Sequence, residues 1–265
     1  LFNKIASTFS TKVITSLINL LIVIIISRNM GAMGKGETSL IITSIALVMM
    51  LCNILSGATL VYLVPRRSFF QLFILAYAWT LLTCCLAFTV ITLLLRNSEL
   101  ITVVQLYLKD IFLLSLLNSF LLANLMLLLG KERILSNNII SLLQSLINVG
   151  LLFALVYGLN ERNTGSYIQT LYVSFGACTL MSLLLLGKYF NSFSLEGFGE
   201  LLKESLKLGA QNQVGHIMQF VSLRLSYYIL EATSGNDAVG VYSNSVSVVE
   251  SIWLITNSIA VVQYA

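Results

Sequence analysis

Arg224 stands inside an otherwise apolar run, with Gln211, Asn212, Gln213, His216 and Gln219 upstream of it on one predicted helix. A guanidinium keeps its charge at any accessible pH, so here it is a fixed cation in a medium of low dielectric. Such a group needs a carboxylate, a wet cavity or an anionic ligand. The following helix offers a carboxylate in Glu250, with Ser243, Ser247 and Asn257 on the same face. By helical rise, Arg224 lies about 10 Å from the outer end of its helix and Glu250 about 16 Å in from Val239, at similar depth. They make either a permanent ion pair or one that opens when substrate or a proton arrives. His216 has two readings, a packed hydrogen-bonded ring or a proton sensor. Near the N-terminus, Lys4, Thr8, Lys12, Thr15 and Asn19 recur at steps of three and four, which places them on one helical face. That stripe either lines a cavity, or Lys12 snorkels to the headgroups.

The chemistry these residues suggest is ion handling, not bond making. The sequence contains no Ser/His/Asp set, paired acidic metal site, phosphate-cradling loop or HExxH. We therefore expect a protein that is not an enzyme and holds no cofactor or metal. Cys52, Cys84, Cys85 and Cys178 sit in apolar segments without metal-ligand spacing and read as small packed hydrophobes.

The elements that must position these side chains are membrane helices. The chain is 57% hydrophobic and only 10% charged, so most of its surface must face something other than water. About eight apolar stretches of roughly 20 residues succeed one another, the length that crosses a hydrocarbon core about 30 Å thick. The predicted spans are 8–27, 38–64, 70–95, a fourth ending at 129 whose start is blurred by Lys109 and Asp110, then 134–157, 167–186, 208–230, and 239 to the end. Pro65, the only proline, closes the second span together with Arg66 and Arg67. Between the sixth and seventh spans, Phe198, Leu201, Leu202 and Leu206 share a face opposite Glu200, Lys203, Glu204 and Lys207. That pattern suits a helix lying in the membrane interface and bridging two bundles. Asn53, Asn118, Asn124, Asn137, Asn138, Gln144 and Asn148 are read mostly as amide glue between helices. The chain lacks an initiator Met and stops within an apolar run, so we expect a fragment of a longer protein. No cleavage site comes after its first apolar run, which should stay in the membrane.

With the N-terminus in the cytoplasm, the inner joints hold Lys4, Lys12, Arg66, Arg67, Lys131, Arg133, Lys188, Lys203 and Lys207. The outer joints hold Arg28, Lys35, Arg96, Lys109 and Arg162. The positive-inside rule favours that orientation. The net charge of +4 is spread over joints and carries no nucleic-acid signal. One internal repeat is visible. Gly31, Gly36 and Ser39 come after the first span, and Gly235, Gly240 and Ser243 come after the seventh at the same spacing. Duplicated bundles of this kind are common in transporters.

Several segments resemble bacterial O-antigen and capsule flippases of the multidrug/oligosaccharidyl-lipid/polysaccharide exporter superfamily. They are Phe9-Ser10-Thr11-Lys12, the stretch from Met30-Gly31 to Gly36-Glu37, Asn53-Ile54-Leu55-Ser56-Gly57-Ala58 and Pro65-Arg66-Arg67. Further on, Leu208-Gly209-Ala210-Gln211-Asn212-Gln213, Arg224-Leu225-Ser226-Tyr227-Tyr228 and Val239-Gly240-Val241-Tyr242-Ser243 are similar to the family's second bundle. The resemblance implies an all-α polytopic bundle, part of a transporter of twelve to fourteen helices in two lobes. Residues 1–187 would form a six-helix lobe, 188–207 a cytoplasmic linker, and 208–265 the first two helices of the second lobe. It implies alternating access in the bacterial inner (cytoplasmic) membrane, moving undecaprenyl-pyrophosphate-linked oligosaccharide repeat units outward for O-antigen, lipopolysaccharide, capsule or exopolysaccharide synthesis. Lys12, Arg28 and Arg224 would be the cationic cavity that receives the diphosphate, with Glu250 or His216 available for coupling. Implied partners are the lipid-linked oligosaccharide, membrane lipids, a polysaccharide polymerase and glycosyltransferases.

Two alternatives stand beside it. A multidrug or cation exporter of the same superfamily would need acidic residues in its cavity, against the observed excess of Lys and Arg at membrane depth. A membrane-embedded sugar polymerase or ligase would need a long outer loop, and every outer joint here is short.

Overall fold

The computed structural model describes residues 2–95, 102–190 and 197–263, and the side chains of 2–6, 95, 212, 216 and 251–263 lie outside the described residues. Eight α-helices carry these residues, and no strand occurs among them. They are α1 (Phe2–Ser56), α2 (Ala58–Leu63), α3 (Phe69–Leu95), α4 (Thr102–Leu106), α5 (Leu108–Gly130), α6 (Ile134–Phe153), α7 (Thr164–Leu186) and α8 (Phe198–Gln263). Among the described residues, five helices are long and apolar enough to cross a membrane: Ser7–Leu63, Phe69–Leu94, Leu108–Gly130, Ile134–Gly158 and Thr164–Tyr189.

The first of these is 57 residues long, the length of the first two predicted spans with the joint between them. The loop expected around Gly31, Gly34, Lys35 and Gly36 is a single residue. Only Gly31 leaves helical geometry, at φ 71 and ψ −172. The polar turn expected from Glu231 to Ala238 shrinks likewise to Gly235, at φ 79 and ψ 178. That region of backbone space belongs essentially to glycine, so one residue redirects each helix without further uncoiling.

The eight expected spans are thus not eight separate helices. The last two lie within α8, which is 66 residues long and turns at Gly235. The amphipathic stretch that begins at Phe198 runs on as helix, unbroken until Gly235. Its polar face carries the exposed Lys203 and Lys207, while Leu201, Ser205 and Gly209 form a buried row.

Local sequence explains the remaining joints. Gly57, at φ −94 and ψ −137, separates α1 from α2. The start of the fourth span resolves at Tyr107, and Asp110 occupies the first turn of α5, where the helix dipole favours an acid. A Schellman turn ends α5. Arg133 N–H donates to Leu128 O at 2.9 Å and Glu132 N–H to Leu129 O at 2.8 Å, with Glu132 left-handed at φ 57. Asn163 caps α7, its Oδ1 accepting from Ser166 N–H at 2.8 Å.

The chain gathers into two compact units. The first comprises residues 1–41, 134–174 and 227–265. Its core includes Ile22, Ile25, Leu40, Ile140, Leu152, Leu171 and Tyr227. Amides and hydroxyls tie its helices: Asn138 Nδ2 donates to Thr8 Oγ1 at 3.1 Å, Thr170 Oγ1 to Asn148 Oδ1 at 2.7 Å, and Ser27 Oγ to Asn244 Oδ1 at 2.7 Å. Here the internal repeat takes physical form. Gly36 faces the backbone carbonyl of Asn236, the residue after the Gly235 kink. Gly240 faces the carbonyl of Ala32, the residue after the Gly31 kink. The two contacts exchange roles as a local two-fold axis requires, and neither leaves room for a Cβ.

The second unit comprises residues 42–133 and 175–226. Leu55, Leu60, Leu72, Ile111, Leu114, Leu121 and Leu127 are buried in it. Asn124 is fully interior. It accepts from Tyr77 Oη at 2.8 Å and donates to Ser182 Oγ at 2.9 Å. Asn118 donates to Met49 Sδ at 2.9 Å. Asn118, Asn124, Asn138 and Asn148 therefore join helices as expected. Cys52 and Cys84 are packed together as free thiols, Sγ to Sγ 3.6 Å.

Candidate functional site

A cavity of about 500 Å³ opens within the second unit. It begins where α8 leaves α1. At Gly209 the two backbones touch, because a Cβ there would strike Ile54 O. One turn on, Gln213 Nε2 donates to Met50 O at 2.8 Å. Beyond Gln213 the helices part, and Gln219, Phe220, Leu223 and Arg224 of α8 line the space. The opposite walls are Ala46, Met50 and Asn53 of α1, then Gly57, Ala58 and Thr59, with Leu122 and Met126 of α5.

The lining is divided by chemistry. Met50, Leu122, Met126, Phe220 and Leu223 make an apolar wall, while Arg224, Asn53, Thr59, Gln213 and Gln219 supply charge, amides and a hydroxyl. Asn53 Oδ1 is buried and has no hydrogen-bond partner among the described residues. A buried acceptor left so costs about 1–3 kcal/mol, a cost that a donor on a bound molecule would remove. Thr59 Oγ1 donates to Ile54 O at 3.3 Å, a carbonyl beside the Gly57 break. Among the described residues, no Asp or Glu lines the cavity. The one formal charge among its described lining residues is the half-buried Arg224.

Of the residues singled out from sequence as the cationic cavity and its coupling groups, Arg224 lines this space. Lys12 and Arg28 lie on α1 in the first unit. Thr15 Oγ1 turns back to the Lys12 carbonyl at 3.0 Å, and neither Lys12 nor Arg28 is among the cavity residues. Glu250 belongs to the first unit and Arg224 to the second. The hydroxyls on the Glu250 face are taken by their own helix: Ser243 donates to Gly240 O at 3.0 Å and Ser247 to Ser243 O at 2.8 Å. The His216 side chain lies outside the described residues. Two lining residues have roles that sequence reasoning missed. Asn53 is read there as glue, and Thr59 is passed over. Their common signal is Gly57, a helix breaker inside an apolar run.

A solved structure designated "protein A" superposes on 98% of this chain with a TM-score of 0.72 at 20% sequence identity. The chain covers 62% of that protein's length. The likeness shows that this arrangement of helices exists in a longer protein. No family model and no curated protein matches the sequence.

Proposed function

We propose that the chain is part of a membrane transporter that moves a lipid-linked oligosaccharide diphosphate across the bilayer, the activity implied by its resemblance to O-antigen and capsule flippases. The observation that carries this reading is the cavity built around Arg224. A diphosphate brings about two negative charges, which a fixed guanidinium stabilises at membrane depth through charge-assisted hydrogen bonds. Sugar hydroxyls both donate and accept hydrogen bonds. Asn53, Thr59, Gln213 and Gln219 line the same space. The apolar wall of Met50, Leu122 and Met126 suits the polyprenyl end. With the cell interior negative, outward movement of an anion is downhill by about 2.3 kcal/mol per charge per 100 mV. In this reading the protein sits in a bacterial inner membrane with its N-terminus in the cytoplasm. It is a fragment of a two-lobed carrier of twelve to fourteen helices, and it is not an enzyme. Arg224 takes the binding role. Lys12 and Arg28 remain candidates for other stages of the transport cycle, and Glu250 and His216 for coupling.

The cation-exporter alternative is disfavoured because Arg224, and no carboxylate, charges the cavity among the described residues. The test is Arg224→Ala in cells that depend on this protein. Surface polysaccharide should disappear and lipid-linked repeat units accumulate in the cytoplasmic leaflet, at normal protein level. Unchanged polysaccharide with stable protein would remove Arg224 from the mechanism.

A further inference from the structure

A second charged site lies at one end of the second unit, separate from the cavity residues. Phe69 begins one membrane-length helix, Gly130 ends another and Tyr189 ends a third, so residues at these positions share headgroup depth. There three cations converge on one ring. Arg133 Nε donates to Tyr189 Oη at 2.8 Å. Lys131 Nζ stands 5.6 Å from the Tyr189 ring centroid and 5.4 Å from that of Phe69. Lys188 Nζ stands 5.2 Å from the Tyr189 centroid.

Lysines and arginines at a membrane edge ordinarily snorkel apart into water. Here they are gathered, and like charges brought together raise one another's energy unless an anion sits among them. Among the described residues, the ion pair at this end joins Arg67 to Glu204 at 2.7 Å, and no carboxylate lies within bonding distance of Lys131, Arg133 or Lys188. Beside the cations is an aromatic shelf. The Phe190 ring packs on Phe69, Phe70 and Phe73, with centroids 5.3, 6.5 and 4.9 Å apart.

We propose that Lys131, Arg133 and Lys188, arranged by Tyr189, form a binding site for the phosphate headgroup of an anionic phospholipid, whose acyl chains lie against the Phe190 shelf. The phosphodiester oxygens meet the guanidinium face left open by the Tyr189 bond. The lysine ammonium groups complete the charge balance. The site does not depend on the transport reading, since none of its residues lines the cavity.

The test is thermal unfolding of the purified chain in neutral detergent, with added lipid as probe. Phosphatidylglycerol or cardiolipin should raise the melting temperature, and phosphatidylethanolamine at equal concentration should not. In the double variant Lys131→Gln/Arg133→Gln the half-saturating lipid concentration should rise about tenfold or more. Lys203→Gln removes a charge from the same end outside the cluster and should leave it unchanged. Tyr189→Phe keeps every charge and removes only the Arg133 anchor. It should weaken binding several-fold, so the proposal stays testable if the double variant does not fold. Equal stabilisation by inorganic phosphate would make this a small-anion site and overturn the lipid assignment. Equal response to anionic and zwitterionic lipid, or equal loss with Lys203→Gln, would overturn the site itself.

Discussion

At the scale of residues, the cavity turns on what Arg224 and Asn53 can offer a ligand. Lysine restores the charge of Arg224 but not its planar fork. Arg224→Lys should therefore retain part of the transport that Arg224→Ala loses, and assay of polysaccharide export at matched protein level separates charge from geometry. Asn53 Oδ1 is a buried acceptor without a partner among the described residues. Asn53→Leu should leave thermal stability within about 1 kcal/mol of wild type or raise it, because an unmet acceptor is removed. Transport should fall at the same time. A variant that loses stability instead would return Asn53 to a purely structural role. Little of this was legible in the sequence. Asn53, Asn118 and Asn124 are the same residue type in similar apolar surroundings. Two are engaged in interhelical hydrogen bonds, while the third lines a cavity. Helical phase says which side an amide occupies and nothing about what stands opposite.

At the scale of elements, single residues decide direction. Gly31 and Gly235 hold backbone conformations closed to other residues, and Gly36 and Gly240 let two helices meet backbone to backbone. Gly36→Ala should destabilise the fold by about 2 kcal/mol, because a Cβ must push a carbonyl aside. Gly36→Ala and Gly240→Ala should couple when combined, since both act on one crossing. Unfolding in detergent of the two single variants and the double variant measures that coupling, and full additivity would separate the two contacts. The Schellman turn after α5 gives a change of opposite sign. Glu132 sits at φ 57, where glycine meets no steric penalty. Glu132→Gly should raise stability by about 1 kcal/mol. The repeat of glycines and serine was visible in the sequence, and so was the charged joint after Gly130. That each kink is one residue rather than a loop was not, because a short polar stretch continues as helix whenever its ends are held by packing.

At the scale of the whole molecule, five helices among the described residues are long and apolar enough to cross a membrane, and α8 carries Arg224 within its length. Arginine at the centre of a span opposes insertion by about 2.5–3.5 kcal/mol. Residues 198–234 expressed alone behind an insertion reporter should therefore enter the membrane poorly, and efficiently when residues 1–197 precede them. Equal insertion in both contexts would show that α8 needs no shelter from the rest of the bundle. Orientation is testable with paired labels. In a chain whose four cysteines are replaced, Glu132→Cys should react only with reagents that reach the cytoplasm, and Arg162→Cys with impermeant reagent outside. The reverse pattern would invert the topology drawn from the Lys and Arg count.

The sequence by itself settled that this is an all-helical protein with membrane-length apolar segments. A run of about 20 such residues has one low-energy solution in lipid, a helix whose backbone bonds close within the segment. It also disclosed Arg224 as an expensive cation and the two glycine motifs as a pair. Only the tertiary structure showed Asn53 and Thr59 lining one cavity with Arg224, and drew Lys131, Arg133 and Lys188 around one tyrosine. Those distinctions rest on which helix stands against which, and contacts between residues far apart in the chain leave no periodicity to read.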